Sequence, residues 1–273
     1  PSISAITNVS SGHLQGLRDT DSIADEKGDI LEFYDSDGIA VLPRDSSYFK
    51  FWCSKTNSKT VVSFGMHEDS DFKVMNPSID IKNNLTSFQL MHDGLIEKCS
   101  INGVGIHNTL NAAMGFAICS VLGIEISKVK EALRNVDFPE RRLSIHKSIA
   151  NSILIDDSYN SNPASMKRSI DLIASMNNHN KICLFGAMKE LAEDSSSLHL
   201  DIYEYAEDKI DYFYCLGEEW NCIKDPDNTN FKIFSSHEEL YESVKDLINV
   251  DTVTLVKGSR STRMDIVADK LKQ

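Results

Sequence analysis

Ser152-Ile153-Leu154-Ile155-Asp156-Asp157-Ser158-Tyr159-Asn160-Ser161-Asn162-Pro163 decides the fold. A short apolar run of strand formers ends on two carboxylates, passes through a polar loop and enters a helix. Asn162 suits the N-cap of that helix, and Pro163 suits its first position. The same order recurs downstream, with strands predicted at 152–156, 181–185, 212–216, 232–234 and 252–257. Helices are predicted at 163–176, 197–207, 238–247 and 263–271. Strands alternating with helices of this length predict a parallel, doubly wound α/β sheet.

Ligands of such sheets sit beyond the carboxyl ends of the strands. Two loops leave those ends: the stretch from Asp156 to Pro163, and Lys257-Gly258-Ser259-Arg260-Ser261. Helix capping accounts for Asn162 and Pro163 but not for Asp157, Tyr159 and Asn160. A carboxylate such as Asp157 at a strand end can accept hydrogen bonds from ribose hydroxyls. Lys257 and Arg260 flank the start of the last predicted helix. Two cations beside unpaired backbone N–H groups suit a phosphate or a carboxylate, and the alternative is a solvated charged loop.

Upstream the pattern differs. Strand-like runs at 3–9, 38–42 and 60–64 surround a helical stretch at 22–33, whose inner face is expected to carry Ile23, Ile30 and Leu31. Loose alternation over 72–101, with polar turns at 82–84 and 92–94, predicts antiparallel strands. Two helices follow, at 108–122 and 127–135. Ser127 is a candidate N-cap of the second, which is expected to bury Val129, Ala132 and Leu133. Pro139 lies in a linker over 137–142, so the chain divides into 1–137 and 138–273. The chain opens at Pro1, with a strand-like run close behind, and reads as beginning inside a domain.

Composition narrows the function. Of 273 residues, 41% are hydrophobic and 25% charged, as in ordinary globular proteins. The net charge is −13, with the acidic excess spread over both halves. That argues against nucleic acid and anionic membrane surfaces as partners, though not against a nucleotide met by a local basic site. The six cysteines include no C-x-x-C pair and read as reduced thiols of a cytoplasmic protein, with Cys119 and Cys183 as core residues. The longest strongly apolar stretch, 112–124, falls short of the ~20 residues a membrane span needs.

Gly103-Val104-Gly105 opens like a dinucleotide fingerprint, but Asn108 stands at the third glycine, so the match is discounted. Asn108 and Asn111, three apart at a helix start, share a face; one suits a cap and the other a base edge. His13 and Lys27 carry no meaning alone, and Lys27 among Asp25, Glu26 and Asp29 is most simply an ion-pair residue. The dipeptide Gly-Lys is absent, so the chain holds no P-loop.

Taken together the motifs resemble the Mur ligase family, ATP-dependent amino-acid ligases of peptidoglycan precursor synthesis. The resemblance runs in order through Thr7-Asn8-Val9 and His13-Leu14, Asp25-Glu26-Lys27-Gly28-Asp29-Ile30, His107-Asn108-x-x-Asn111-Ala112, Arg142-Leu143, the Asp156–Pro163 loop, Met188-Lys189-Glu190-Leu191, and Val256-Lys257-Gly258-Ser259-Arg260-Ser261. Two positions depart from the family's pattern: Ala187 stands where Gly-Asp-Met has its acid, and Pro43 where an Asn is usual before Arg44 and Asp45.

The resemblance implies the later part of a central ATPase domain, with a mixed sheet and helices, and then a Rossmann-like doubly wound C-terminal domain. It implies ATP and Mg²⁺ as cofactors, and as substrates UDP-N-acetylmuramoyl-tripeptide and D-Ala-D-Ala, joined through an acyl phosphate. Residue by residue, His13 matches a Mg²⁺ ligand and Lys27 a lysine that is carbamylated to face the metal. Asn111, with Asn108 nearby, matches the adenine contact, and Asp157 the ribose-binding acid. Arg142 matches a hinge arginine that reaches the phosphates. Asn160, Asn162, Lys257, Ser259 and Arg260 fall on the side of the peptide substrates. Without a P-loop the chain alone is expected to be inactive. A non-catalytic nucleotide- or peptide-binding module, or a sister Mur or folylpolyglutamate-type ligase, stands as the alternative.

Overall fold

The apolar runs of the first half line up as six strands standing side by side in chain order. They are β1 (Ile3–Ala5), β2 (Ile39–Pro43), β3 (Thr60–Gly65), β4 (Phe72–Asp80), β5 (Leu85–His92) and β6 (Leu95–Asn102). The computed structural model describes residues 1–9, 19–32, 37–136, 139–177, 179–189, 191, 195–225 and 227–273. These residues form two compact units that divide between residues 136 and 139. In the first unit β1 to β4 are parallel, while β4, β5 and β6 form an antiparallel meander. Its hairpins turn at the expected places. Asn84 has positive φ, as do both Asp93 and Gly94, which matches the right-handed twist of the flanking strands.

Four helices cover this sheet: α1 (Thr20–Gly28), α2 (Phe49–Lys55), α3 (Ile106–Val121) and α4 (Ile126–Arg134). The small residues Ala112, Ala113 and Ala117 let α3 lie close over the strands, with Phe116 fully buried between them. On the α1 side Trp52 is enclosed and donates its indole N–H to Ala24 O at 2.9 Å, keying α2 to α1.

Several local expectations need correction. The helix expected over 22–33 begins at Thr20, capped by Asp19, and gives way after Gly28 to a 3-10 turn ending at Leu31. Ile23 and Leu31 are buried, but Ile30 is 45% exposed because the tighter turn rotates it outward. Ser127 is not an N-cap: α4 starts one residue earlier, after Glu125, with no side-chain cap. Of its expected inner face only Val129 is buried, Leu133 is half-buried and Ala132 exposed. All six cysteines are free, and Cys119 is only half-buried whereas Cys183 is fully enclosed.

The second unit holds β7 (Ser144–Lys147), β8 (Ile153–Asp157), β9 (Asn180–Gly186), β10 (Tyr212–Leu216), β11 (Phe231–Phe234) and β12 (Thr252–Lys257). Their spatial order is β11-β10-β9-β12-β8-β7. All pairings are parallel except β7 with β8. Helices α5 (Pro163–Ala174), α6 (Ser195–Ala206) and α7 (His237–Val244) connect successive strands, and α8 (Asp265–Leu271) follows β12. Central strand β12 is buried along its whole length, as a strand covered on both faces must be.

Strand β7 escaped the sequence reading because an edge strand carrying His146 and Lys147 shows no apolar run. Helix α8 starts two residues later than expected: Arg263 sits in the left-handed region (φ 52°) and closes a 3-10 turn over Arg260–Thr262. Among the described residues no helix is long and apolar enough to cross a membrane.

Candidate active site

The parallel pairing of β8 with β12 sets Val256 opposite Asp156 and Lys257 opposite Asp157. Both strands end here, so the two loops singled out from the sequence leave the sheet side by side. Asp157 and Lys257 meet across them: Lys257 Nζ donates to Asp157 Oδ2 at 2.5 Å and to Asn160 O at 3.0 Å. Lys257 is 2% exposed and Asp157 9%. Asp157 also accepts from Ser169 Oγ (2.7 Å) and from the Leu143 N–H (3.2 Å). A buried carboxylate with three donors is held in one orientation.

Asp156 points to the opposite face of the pleat, where it is fully buried. There it accepts from Ser158 Oγ at 2.6 Å and pairs with Lys272 Nζ at 2.8 Å. The doublet Asp156-Asp157 thus divides its work, one carboxylate fixing the chain's C-terminal end and the other ordering the loop.

The helix that follows starts as its sequence demands. Asn162 Oδ1 accepts the Ser165 N–H at 2.8 Å, Ser165 Oγ accepts the Asn162 N–H at 3.0 Å, and Pro163 opens the first turn. Asn160 is exposed and uses its Oδ1 on the Ser161 N–H at 2.8 Å. Tyr159, 44% exposed, carries the Arg142 guanidinium over its ring at 4.3 Å. Its N–H donates to Arg141 O at 3.0 Å, so the Arg141–Arg142 segment is tied to the loop twice.

Lys257 and Arg260 do not converge on the last helix. Lys257 is neutralised by Asp157, and Arg260 lies exposed, 3.8 Å from Asp265 Oδ2. The start of α8 holds its own acid instead: Asp265 is paired with Arg141 and, at 3.2 Å, with Arg263. Burial works against the ionised form of Asp265, but the hydrogen bonds from Arg141 and Arg263 prevail and keep its carboxyl below the ordinary range.

Ser259 stitches the second loop to the turn after β9. Its N–H donates to Ala187 O (3.2 Å), its Oγ accepts the Lys189 N–H (2.8 Å), and the same hydroxyl reaches Ser161 O at 3.4 Å. The backbones approach so closely that a Cβ on Gly258 would lie 2.9 Å from Gly186 Cα.

In the first unit Asn108 is buried and donates its amide to Val104 O at 3.1 Å, while Asn111 is exposed on the same helix. Neither caps α3, whose N-cap is Gly105. Gly103 and Gly105 have φ of 101° and 123°, so the strand-to-helix turn itself requires them, and this explains the accidental dinucleotide pattern. Lys27, in the last turn of α1, is exposed and donates from Nζ to Asn8 O at 2.8 Å. His13 lies outside the described residues. Among the described residues no group of three His, Cys, Asp or Glu side chains is placed to hold a metal ion.

Two partners in this architecture were missed by the sequence reading. Ser169 lies seven residues after the cap, two turns along the helix, which is the signal that could have placed it under Asp157. His199, which accepts the Met188 N–H, carries no signal beyond being one histidine in a helix.

Residues 1–119 match the Mur ligase middle domain, and residues 141–260 match the Mur ligase glutamate ligase domain. The chain is 28% identical over 277 residues to UDP-N-acetylmuramoyl-tripeptide--D-alanyl-D-alanine ligase of Escherichia coli, an alignment covering 100% of this chain and 60% of that protein. The Bacillus subtilis enzyme of the same name is 23% identical over 278 residues, covering 99% and 59%. The chain thus spans about 60% of the length of the curated relatives it matches. In fold it is similar to MurF from Acinetobacter baumannii, with a TM-score of 0.88, 23% identity, and coverage of 99% of this chain and 59% of that one. MurF from Thermotoga maritima in complex with ADP gives a TM-score of 0.86 at 21% identity, covering 99% and 61%. With both of its units matched by consecutive domains of one family, and with the loops at its strand ends built as described, the chain belongs to the Mur ligase family.

Proposed function

We propose that this chain is the later part of the ATP-binding domain, residues 1–137, and the C-terminal domain, residues 138–273, of a cytoplasmic ligase that joins D-Ala-D-Ala to UDP-N-acetylmuramoyl-tripeptide. The observation that carries this reading is the pair of facing loops at the ends of β8 and β12, in a chain that aligns along its length with relatives of that one name. The terminal carboxylate of the tripeptide attacks the γ-phosphorus of ATP, and ADP leaves. The amine of D-Ala-D-Ala then adds to the acyl carbon, and the tetrahedral intermediate expels phosphate.

In this reading Asp157 receives the ribose, held by Lys257 and Ser169 in the orientation that leaves its outer face for a hydroxyl. Arg142, steadied on the Tyr159 ring, extends toward the phosphates. Asn111 presents its exposed amide to the base, and buried Asn108 fixes the helix start below it. Asn160, Asn162, Lys257, Ser259 and Arg260 shape the side where the dipeptide enters. Asn162 and Lys257 do so chiefly by holding the loops, since their caps and ion pairs already occupy them.

Mg²⁺ would offset the repulsion between carboxylate and γ-phosphate. The described residues alone do not form a cage for it, and Lys27 as an ammonium repels it. A carbamate on Nζ would present anionic oxygens and retain one N–H for Asn8 O. A mass increase matching CO₂ on the peptide bearing Lys27, taken from the intact enzyme, is the expected sign.

The decisive experiment uses the intact ligase that carries this chain. Phosphate release should require ATP, the tripeptide precursor and D-Ala-D-Ala together. Equal turnover with diaminopimelate in place of the dipeptide overturns the assignment. The 273-residue chain alone should not ligate, because its sequence holds no P-loop for the β- and γ-phosphates; turnover by the isolated chain overturns that.

A further inference from the structure

His199 is fully enclosed, an uncommon setting for a histidine. It lies on α6 one turn after Ser195, with Nδ1 2.6 Å from Ser195 O and Nε2 3.0 Å from the Met188 N–H. A ring that faces a carbonyl on one side and an N–H on the other has only one compatible form: neutral, with the proton on Nδ1. The Trp220 ring packs edge-on against it at 4.5 Å and fixes its plane.

Met188 is the middle of three consecutive amides captured by three different elements. The Ala187 N–H goes to Leu216 O at the end of β10 (3.1 Å), the Met188 N–H to His199 on α6, and the Lys189 N–H to Ser259 Oγ after β12 (2.8 Å). Ser259 returns its own N–H to Ala187 O. The position of the Ser259 hydroxyl is therefore set by a turn whose centre hangs on one imidazole lone pair. Of the three acceptors, only this one can be switched off by a proton.

We infer that His199 is a positioning residue: in its neutral form it holds the Ala187–Lys189 turn, and through it the Ser259 hydroxyl, for the incoming amino component, and its protonation releases both. This rests on the assignment of Ser259 to the dipeptide side proposed above. Among the described residues the charged groups acting on the ring are Glu219, which favours protonation, and Lys189, which opposes it, and the two are paired with each other. Cys222, on the same 3-10 segment as Glu219, has its thiol directed to Ser196 O and Glu219 O. Burial outweighs the Ser195 and Glu219 contributions and lowers the pKa of His199 below the usual 6.5. The hold is thus complete at neutral pH and is lost as pH falls through the lowered value.

The test compares the full chain with His199→Gln and His199→Phe at about pH 7.5 and at a lower pH, the most acidic at which the wild type remains folded, so that the comparison reaches below the ordinary histidine range. Amide-exchange protection of Met188 and the dissociation constant for D-Ala-D-Ala are both read. A glutamine Oε1 can replace the Nε2 lone pair without titrating; a phenylalanine keeps the packing against Trp220 and offers no acceptor. In the wild type, protection should drop at the lower pH. In His199→Phe it should be reduced about tenfold at both pH values, and the dissociation constant raised about tenfold, as expected for a buried N–H left unpaired. In His199→Gln both should stay within about threefold of wild type and lose their pH dependence. Equal protection in all three proteins, unchanged by pH, overturns the inference, as does unaltered dipeptide binding once Met188 protection is lost. If Met188 behaves as expected but the wild type binds no dipeptide at either pH, the clasp stands and the assignment of Ser259 to the substrate falls. Should His199→Phe fail to fold, the pH response of the wild type against His199→Gln decides alone.

Discussion

Lys257 Nζ lies 2.5 Å from Asp157 Oδ2, with 2% and 12% of the two side chains exposed. Each partner comes from the end of a different central strand, so the pair locks the two loops of the site together. Removing one member leaves the other charge buried without compensation, which costs ~3–5 kcal/mol. Lys257→Met should therefore lower the unfolding free energy by an amount in that range, and Asp157→Asn by less, because an amide oxygen in the place of Oδ2 still accepts from Lys257 and Ser169, although the Leu143 N–H loses its acceptor. The double variant should lose less than the sum of the two. Urea denaturation of the four proteins checks this, and strict additivity would mean that the pair is not coupled.

The start of α5 offers a smaller and cleaner effect. Asn162 and Ser165 satisfy each other's backbone N–H groups. Asn162→Ala should cost ~1 kcal/mol, and Asn162→Asp should retain most of the stability, since a carboxylate also caps and suits the helix dipole. Thermal unfolding of both variants distinguishes a capping role from a purely ligand-facing one, for which neither substitution would shift the midpoint.

Regular local patterns were the legible part of this molecule. The loop from Asp156 to Pro163 announced strand, cap and helix because each step has its own residue chemistry, and 212–216 and 252–257 coincide with β10 and β12. Side chains serving their neighbours were not legible. Lys257 and Arg260 looked like a pair of free cations because their acids, Asp157 and Asp265, are brought to them only by strand register and by the left-handed turn at Arg263. Strand β7 and the Met188–His199 bond depend on tertiary pairing in the same way, and nothing in local spacing encodes them.

Asp265 makes the stability of the second unit depend on acid. Its carboxyl lies below the ordinary range through Arg141 and Arg263, against the opposing effect of burial. A depressed carboxyl contributes stability above its unfolded value, near 3.8, and loses it as pH falls through the folded value. Asp265→Asn should thus be less stable than wild type at neutral pH, with the gap closing in acid. Unfolding midpoints measured from neutral pH downward should converge; a constant gap would assign the loss to packing instead.

Gly258 is required by space rather than by backbone conformation. A methyl group there would lie 2.6 Å from Thr262 Oγ1, 2.7 Å from Met264 Cγ and 2.9 Å from Gly186 Cα. Thr262 Oγ1 is itself bonded to Ser259 O at 2.6 Å, and Met264 is fully buried, so neither can withdraw freely. The remaining response is to part the turn after β9 from the loop after β12, which breaks the bonds that fix Ser259. Gly258→Ala should cost ~1–3 kcal/mol, the usual range for overpacking. It should also raise the dissociation constant for the dipeptide more than Asn162→Ala does, because the strain falls directly on Ser259. Calorimetric titration beside urea unfolding separates the two effects: stability lost with dipeptide affinity intact would show that the loops part without moving the Ser259 hydroxyl.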